Sequence, residues 1–196
     1  MAQTADGVGK QAGSILVRAR LIDVIPEDST SSISAIGGHV NATDSFTPEV
    51  DFSYFLTDNI ALELIAATTR HSISGGGTAL GPVQVGSTWV LPPALTVQYH
   101  FMPKGIFSPY VGAGVNYTIF YDTTAAGGTV NKLSLEDNWG GVLQAGADFE
   151  LSGRWFANVD VKQIFVDTKA KLNAGAITAK TALNPTVVSL GIGYRF

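Results

Sequence analysis

Pro109-Tyr110-Val111-Gly112-Ala113-Gly114-Val115-Asn116-Tyr117-Thr118-Ile119-Phe120-Tyr121 is the stretch that decides the fold. Val111, Ala113, Val115, Tyr117 and Ile119 alternate with Gly112, Gly114, Asn116 and Thr118. A period of two marks a β-strand with one apolar face. The other face carries glycine, a poor choice for a strand surface in water. Glycine suits the cramped interior of a narrow closed sheet, so the apolar face points outward.

The same alternation recurs on both sides of this stretch. Ile15, Val17, Ala19 and Leu21 oppose Arg18 and Arg20, and Val50, Phe52, Tyr54 and Leu56 oppose Glu49, Asp51 and Ser53. Ile60, Leu62 and Leu64 oppose Ala61 and Glu63, and Leu95, Val97, Tyr99 and Phe101 oppose Thr96, Gln98 and His100. Leu143, Ala145, Ala147 and Phe149 oppose Gln144, Gly146 and Asp148, and Trp155, Ala157, Val159 and Val161 oppose Asn158, Asp160 and Lys162. The chain closes with Val188, Leu190, Ile192, Tyr194 and Phe196 against Ser189, Gly191, Gly193 and Arg195. These segments make about eight strands of ~10 residues, the length that crosses a bilayer.

The connections alternate in length. Thr57-Asp58-Asn59, Met102-Pro103-Lys104-Gly105 and Ser152-Gly153-Arg154 are tight, whereas 26–46, 70–88, 123–138 and 168–184 are long and polar or Gly-rich. Short turns on one rim and long loops on the other are the outer-membrane pattern. A soluble eight-stranded barrel would reverse the faces. Against it stand the outward aromatics, which gather at strand ends. Tyr54, Tyr99, Phe101, Phe149, Trp155, Tyr194 and Phe196 flank the short turns, while Trp89, Tyr117, Tyr121, Trp139 and Phe165 lie near the long loops. Two aromatic girdles around an aliphatic band are what lipid demands.

Composition agrees. The 196 residues include 22 Gly and no Cys, 45% are hydrophobic, and only 14% are charged. No run of ~18 apolar residues could make a spanning helix, so the apolar content is dispersed over strands. A net charge of −4 without a basic stripe excludes nucleic acid as a partner. The opening Met1-Ala2-Gln3-Thr4-Ala5-Asp6 lacks a basic or apolar leader and reads as an exported chain whose signal peptide has been removed.

Several segments resemble the OmpW family of outer-membrane proteins. They are Leu91-Pro92-Pro93 with Val97-Gln98-Tyr99, the 109–118 stretch, Leu135-Glu136-Asp137-Asn138-Trp139-Gly140, Asp167-Thr168-Lys169-Ala170 and the closing Gly193-Tyr194-Arg195-Phe196. The resemblance implies an eight-stranded barrel with a narrow, partly hydrophobic channel for small hydrophobic compounds or other small solutes. It also implies that Phe196 addresses the chain to the barrel-assembly machinery.

The expected fold is therefore all-β: a closed antiparallel eight-stranded transmembrane β-barrel with short periplasmic turns and long extracellular loops. It forms one domain over 1–196, with 1–13 as a flexible periplasmic segment. The expected location is the outer membrane of a Gram-negative cell, as a monomer among lipid bilayer and lipopolysaccharide.

Alternation also sorts the lumen by height. A charged plug is expected low down, from Arg18, Arg20, Glu49, Asp51, Glu63, Asp148, Asp160 and Lys162, with Gln98, His100 and Arg195 nearby. Above it, Ile22, Val24, Ile65, Val90, Phe120, Val142, Ile164 and Val166 form a hydrophobic vestibule. Buried charges must pair, so the plug blocks apolar solutes, and a sideways exit into lipid is the cheaper route. Pro92 and Pro93 lack backbone N–H groups and mark a candidate lateral opening. Equally, the prolines can end a loop, with the strand starting after them. The function expected is passive uptake of small hydrophobic or weakly polar molecules. The alternative is a sealed barrel serving as a structural protein or as a receptor for phage, bacteriocins or adhesion.

Other chemistry finds little support. His39, His71 and His100 show no metal-ligand spacing. Polar loops offer Ser, Asp and His without a Gly-x-Ser-x-Gly elbow, so no enzyme activity and no cofactor are expected. Gly75-Gly76-Gly77 reads as a flexible loop tip, and 133–137 as a short helical turn anchoring a loop.

Overall fold

The structure, a computed structural model, describes residues 9–25, 32–33, 39–42, 45–79, 81–128, 130–173, 177–182 and 184–196. Its strands are β1 (Ile15–Ile25), β2 (Ser32–Ile33), β3 (His39–Ala42), β4 (Ser45–Phe55), β5 (Ile60–Ala67), β6 (Thr69–Thr78), β7 (Gly81–Leu91) and β8 (Ala94–His100). They continue as β9 (Phe107–Ala125), β10 (Leu133–Leu135), β11 (Asn138–Ser152), β12 (Trp155–Phe165), β13 (Asp167–Leu172), β14 (Ile177–Ala182) and β15 (Thr186–Arg195).

Eight staves close the barrel: β1, β4, β5 continued by β6, β7 continued by β8, β9, β11, β12 and β15. Each pairs antiparallel with the next, and β15 returns to β1 with Arg18 opposite Gly193 and Leu21 opposite Leu190. Closure leaves none of the eight staves as an edge strand, which is what a sheet in hydrocarbon requires.

The faces follow the alternation. Leu21, Leu64, Val97, Leu143 and Leu190 are exposed on the outside, whereas Arg18, Asp51, Glu63 and Gln98 are fully buried inside. Outward aromatics cluster at both rims. Trp155 packs on Tyr194 at 5.0 Å and Phe107 on Phe149 at 5.0 Å near the short turns. Tyr117 packs on Trp139 at 4.9 Å and Trp89 on Tyr121 at 6.3 Å at the other end. The lumen glycines make room. A Cβ on Gly146 would fall 2.5 Å from the Tyr110 ring, and one on Gly193 would fall 2.4 Å from the Phe156 ring.

Several long connections differ from expectation. Residues 70–88 are largely a hairpin of β6 and β7. In the 168–184 stretch, β13 pairs with β14, and β13 also pairs with β10. Gly75 pairs with Val83, so the glycine run belongs to a bulged strand and not to a loop tip. Residues 133–135 are strand, not helical turn. The reason is a second apolar cluster of Val85, Val130, Leu133, Ala170 and Leu172, backed by Ile73 and Val83. It gives these polar-looking segments a core on which to extend the ladders. Of the 26–46 connection, 26–31, 34–38 and 43–44 lie outside the described residues.

The segment 1–13, expected to be flexible, is tied down where it is described. Residues 1–8 lie outside the described residues. The Lys10 N–H donates to the Pro103 carbonyl at 2.7 Å, Gly13 N–H to Phe55 at 2.8 Å, and Ala12 N–H to the Asp58 carboxylate at 3.0 Å. The cause is a buried attraction that strand periodicity does not register: Lys10 Nζ sits 2.7 Å from Asp148.

Candidate functional site

The interior is layered, and each layer follows from which residues the staves turn inward at that height. At the end with the short turns, Leu16, Phe55, Ala61 and Phe156 form an apolar floor. Alternation alone placed only charged and polar groups in this half, Gln98 and His100 among them. Leu16 and Phe156 share the inward parity of Arg18 and Asn158, and this was the signal available for the floor. Lys10 closes it from one side, and the void left against Leu16, Phe156 and Asp148 is about 20 Å³, room for roughly one water.

Above the floor lies an ionic layer. Arg18 Nη1 is 2.6 Å from Asp51 and 3.0 Å from Glu63, and its Nε is 3.5 Å from Asp148. Arg20 reaches Glu49 at 3.1 Å, Asp51 at 3.2 Å and Glu63 at 3.2 Å. Lys162 bridges Glu49 at 3.1 Å and Asp160 at 2.8 Å. All eight residues assigned to the plug thus meet in one layer. The pairing is set by register: Arg18 lies opposite Asp51, and Arg20 opposite Glu49.

Neutral polar groups satisfy what the charges leave over. The Tyr110 hydroxyl donates to Asp160 at 2.8 Å, Asn158 to Asp148 at 2.7 Å, and Gln144 to Glu63 at 2.8 Å and to Asp160 at 3.0 Å. Tyr110, Gln144 and Asn158 were not singled out in the sequence, although all three lie on inward parity. The layer fills the bore, because the guanidinium of Arg18 also sits between the Tyr110 and Phe156 rings, at 5.6 and 5.9 Å.

Over the ionic layer, Ile22, Val24, Ile65, Val142, Ile164 and Val166 form one buried cluster with Ala94 and Val187. These are six of the eight vestibule positions. Val90 and Phe120 stand apart from the cluster. They face each other across a rung above it and are only half-buried. Buried Thr69, His71, Thr88 and Thr118 lie above or beside the cluster.

The wall beside the cluster is unequal on its two sides. Along β9, the ladder skips Pro92 and Pro93 but keeps its register, and one hydrogen bond spans the gap: Leu91 opposes Ile119, Tyr117 N–H donates to the Pro93 carbonyl at 3.0 Å, and Ala94 opposes Asn116. Toward β5 and β6, pairing stops at Ile65–Ala94 and resumes at Thr69–Val90. Residues 66–68 and 91–93 face each other there with no ladder, over four residue steps of about 3.3 Å, or ~13 Å. On its other flank, toward β4, the Thr68 carbonyl accepts from the Thr47 hydroxyl at 2.9 Å. Ala67, at this seam, packs against the apolar cluster. Pro92 and Pro93 therefore interrupt a stave that continues beyond them and do not end a loop.

His71 and His100 are far apart on the staves, and the His39 side chain lies outside the described residues. His71 Nε2 lies 2.9 Å from Thr69 Oγ1, and His100 Nδ1 lies 3.4 Å from Lys10 Nζ. No group of three or more His, Asp or Glu side chains suited to a metal ion occurs among the described residues.

The model of the OmpW family matches residues 11–196. The outer-membrane protein y4mB of Sinorhizobium fredii is 40% identical over 199 residues, covering 100% of this chain and 86% of its own. Outer membrane protein W of Vibrio cholerae is 36% identical over 195 residues, covering 95% and 90%. The dibenzothiophene metabolism operon protein DoxH of a Pseudomonas species is 31% identical over 165 residues, covering 82% and 76%. Among solved structures, OprG of Pseudomonas aeruginosa superposes with a TM-score of 0.87 at 29% identity, covering 96% of this chain and 98% of that one.

Proposed function

This chain belongs to the OmpW family and resides in the outer membrane, and from that premise we propose that it is a passive channel for small hydrophobic or weakly polar molecules that leave sideways, through its wall, into the bilayer. The seam between Ala66–Thr68 and Leu91–Pro93, opening beside the buried apolar cluster, carries the reading. An apolar solute hiding ~150 Å² in the cluster gains about 4 kcal/mol at ~25 cal/mol per Å². Descending through the ionic layer would forfeit that gain and separate paired charges. Exit at the seam keeps the solute in apolar surroundings, and no energy source is needed. The name of DoxH, which ties that relative to dibenzothiophene metabolism, agrees in kind with an apolar solute.

Joining Ala67→Cys to Pro92→Cys with a short, reducible bifunctional thiol reagent tests the route. Uptake of an apolar dye precursor into cells bearing this protein should fall at least tenfold on cross-linking and return on reduction. Unchanged uptake after complete cross-linking refutes the lateral path. Lipopolysaccharide and the assembly machinery acting on Phe196 are the partners proposed for a chain in this membrane.

A further inference from the structure

We propose that Asn116 and Thr118 form a hydrogen-bonding site beside the seam, which selects solutes carrying one hydroxyl or N–H donor on an otherwise apolar body. The inference rests on the transport reading above and narrows its substrate class.

Asn116 faces inward on β9, opposite Ala94 on one flank and Gly140 on the other, and is 1% exposed. Its amide donates to Thr118 Oγ1 at 2.7 Å, which fixes the group and turns Oδ1 the other way. That oxygen has no hydrogen-bond partner. An amide carbonyl withdrawn from water and left without a donor is unfavourable, so such a position invites one.

Six other buried polar atoms among the described residues lack a hydrogen bond, and they differ in place: the amide atoms Gln98 Nε2 and Asn158 Oδ1 belong to groups bonded to His100 and Asp148, at or below the ionic layer. Arg18 Nε, Arg20 Nε, Asp51 Oδ2 and Asp160 Oδ1 sit in the ionic layer, each within 3.5 Å of an opposite charge. Asn116 lies above that layer, where Ala94 beside it belongs to the apolar cluster. Its neighbour Tyr117 bonds the Pro93 carbonyl at the seam. The space is also made for it: a Cβ on Gly140 would come within 2.3 Å of Asn116 Oδ1. Glycine at that inward position leaves the carbonyl room.

A phenol-like solute could then rest its ring on the cluster and donate its hydroxyl to Asn116 Oδ1. A pure hydrocarbon of equal shape would leave the carbonyl unmatched. The pair p-cresol and p-xylene, which exchange a hydroxyl for a methyl, isolates this difference. Full-length protein in lipid nanodiscs, labelled for NMR at the Asn116 side-chain amide and the Ile65 and Val142 methyls, is titrated with each. Affinities are corrected for partition into protein-free nanodiscs.

The expected result is about fivefold tighter binding of p-cresol, the factor one net hydrogen bond supplies. The Asn116 amide should shift with p-cresol alone. Asn116→Leu should abolish the preference while leaving p-xylene binding intact. Should that variant fail to give the heat-modifiable gel shift of a folded barrel, the wild-type amide response still decides. Equal corrected affinities, or a preference that survives in Asn116→Leu, would overturn the selectivity but leave transport standing. Methyls that respond to neither compound would remove the transport reading itself.

Discussion

Replacing Arg18 by Met tests whether the ionic layer is a structural seal. The side chain is fully buried and faces Asp51, Glu63 and Asp148. The layer holds four cations, Lys10, Arg18, Arg20 and Lys162, against five carboxylates, Glu49, Asp51, Glu63, Asp148 and Asp160. Losing Arg18 leaves three against five, with Asp51 deprived of its 2.6 Å partner. Removing one member of a buried pair costs about 3–5 kcal/mol, a large share of the ~5–15 kcal/mol that holds a domain folded. Arg18→Met with Asp51→Asn leaves three against four, the original excess of one, and should cost less than Arg18→Met alone. Urea unfolding from lipid vesicles, followed by tryptophan fluorescence, should show Arg18→Met losing ~1.5–2.5 M in midpoint at a slope of ~2 kcal/mol/M, with the double variant recovering about half. Planar-bilayer recording of both variants reads the seal directly. A midpoint loss under 0.3 M (~0.6 kcal/mol) together with a rise in ion conductance would refute the reasoning, for the charges would then be hydrated and acting as a gate.

Two further outcomes are expected. Gly146→Ala drives a Cβ to 2.5 Å from Tyr110 and should cost about 1–3 kcal/mol by overpacking. Gly141→Ala, whose nearest neighbour would be Phe165 at 3.9 Å, should be tolerated; equal costs in thermal band-shift assays would contradict the filled lumen. At the short turns, the Lys104 ammonium and the Ala12 N–H hold the exposed Asp58 carboxyl below its ordinary 3.8. A depressed carboxyl adds stability that is present above that value and is lost as pH falls through its folded one. Asp58→Asn should therefore lower stability slightly at neutral pH and remove a small part of the acid-side decline below about pH 4. An unaltered acid limb would show the contact to be screened.

Much of this site is written along the strands one residue at a time. Arg18, Arg20, Glu49, Asp51, Glu63, Asp148, Asp160 and Lys162 each interrupt an apolar alternation, so their inward side was legible. Their partners were not. Asp148 on β11 reaches Arg18 on β1 only because the closed sheet brings distant staves across one narrow bore. Lys10 lies before the first strand, in a segment without periodicity, and its seat on Asp148 has no local signal. The same holds for β6, β7 and β13. Their polar and Gly-rich composition reads as loop, and only the cluster of Val85, Leu133 and Leu172 from separate segments gives them a common core.

The two-residue period, the inward glycines and the aromatic strand ends determine by themselves that this chain is a closed barrel with lipid outside. Hydrocarbon leaves a spanning sheet no other way to satisfy its backbone. Which neighbour Pro92 and Pro93 release is a tertiary matter. The Pro93 carbonyl still accepts from Tyr117, so the β9 side stays joined. In an antiparallel ladder the amide position of Pro92 faces Ala67 on the opposite strand, where it has no proton to give. A proline shows where a donor is missing. The three-dimensional arrangement of acceptors decides on which side the wall comes apart.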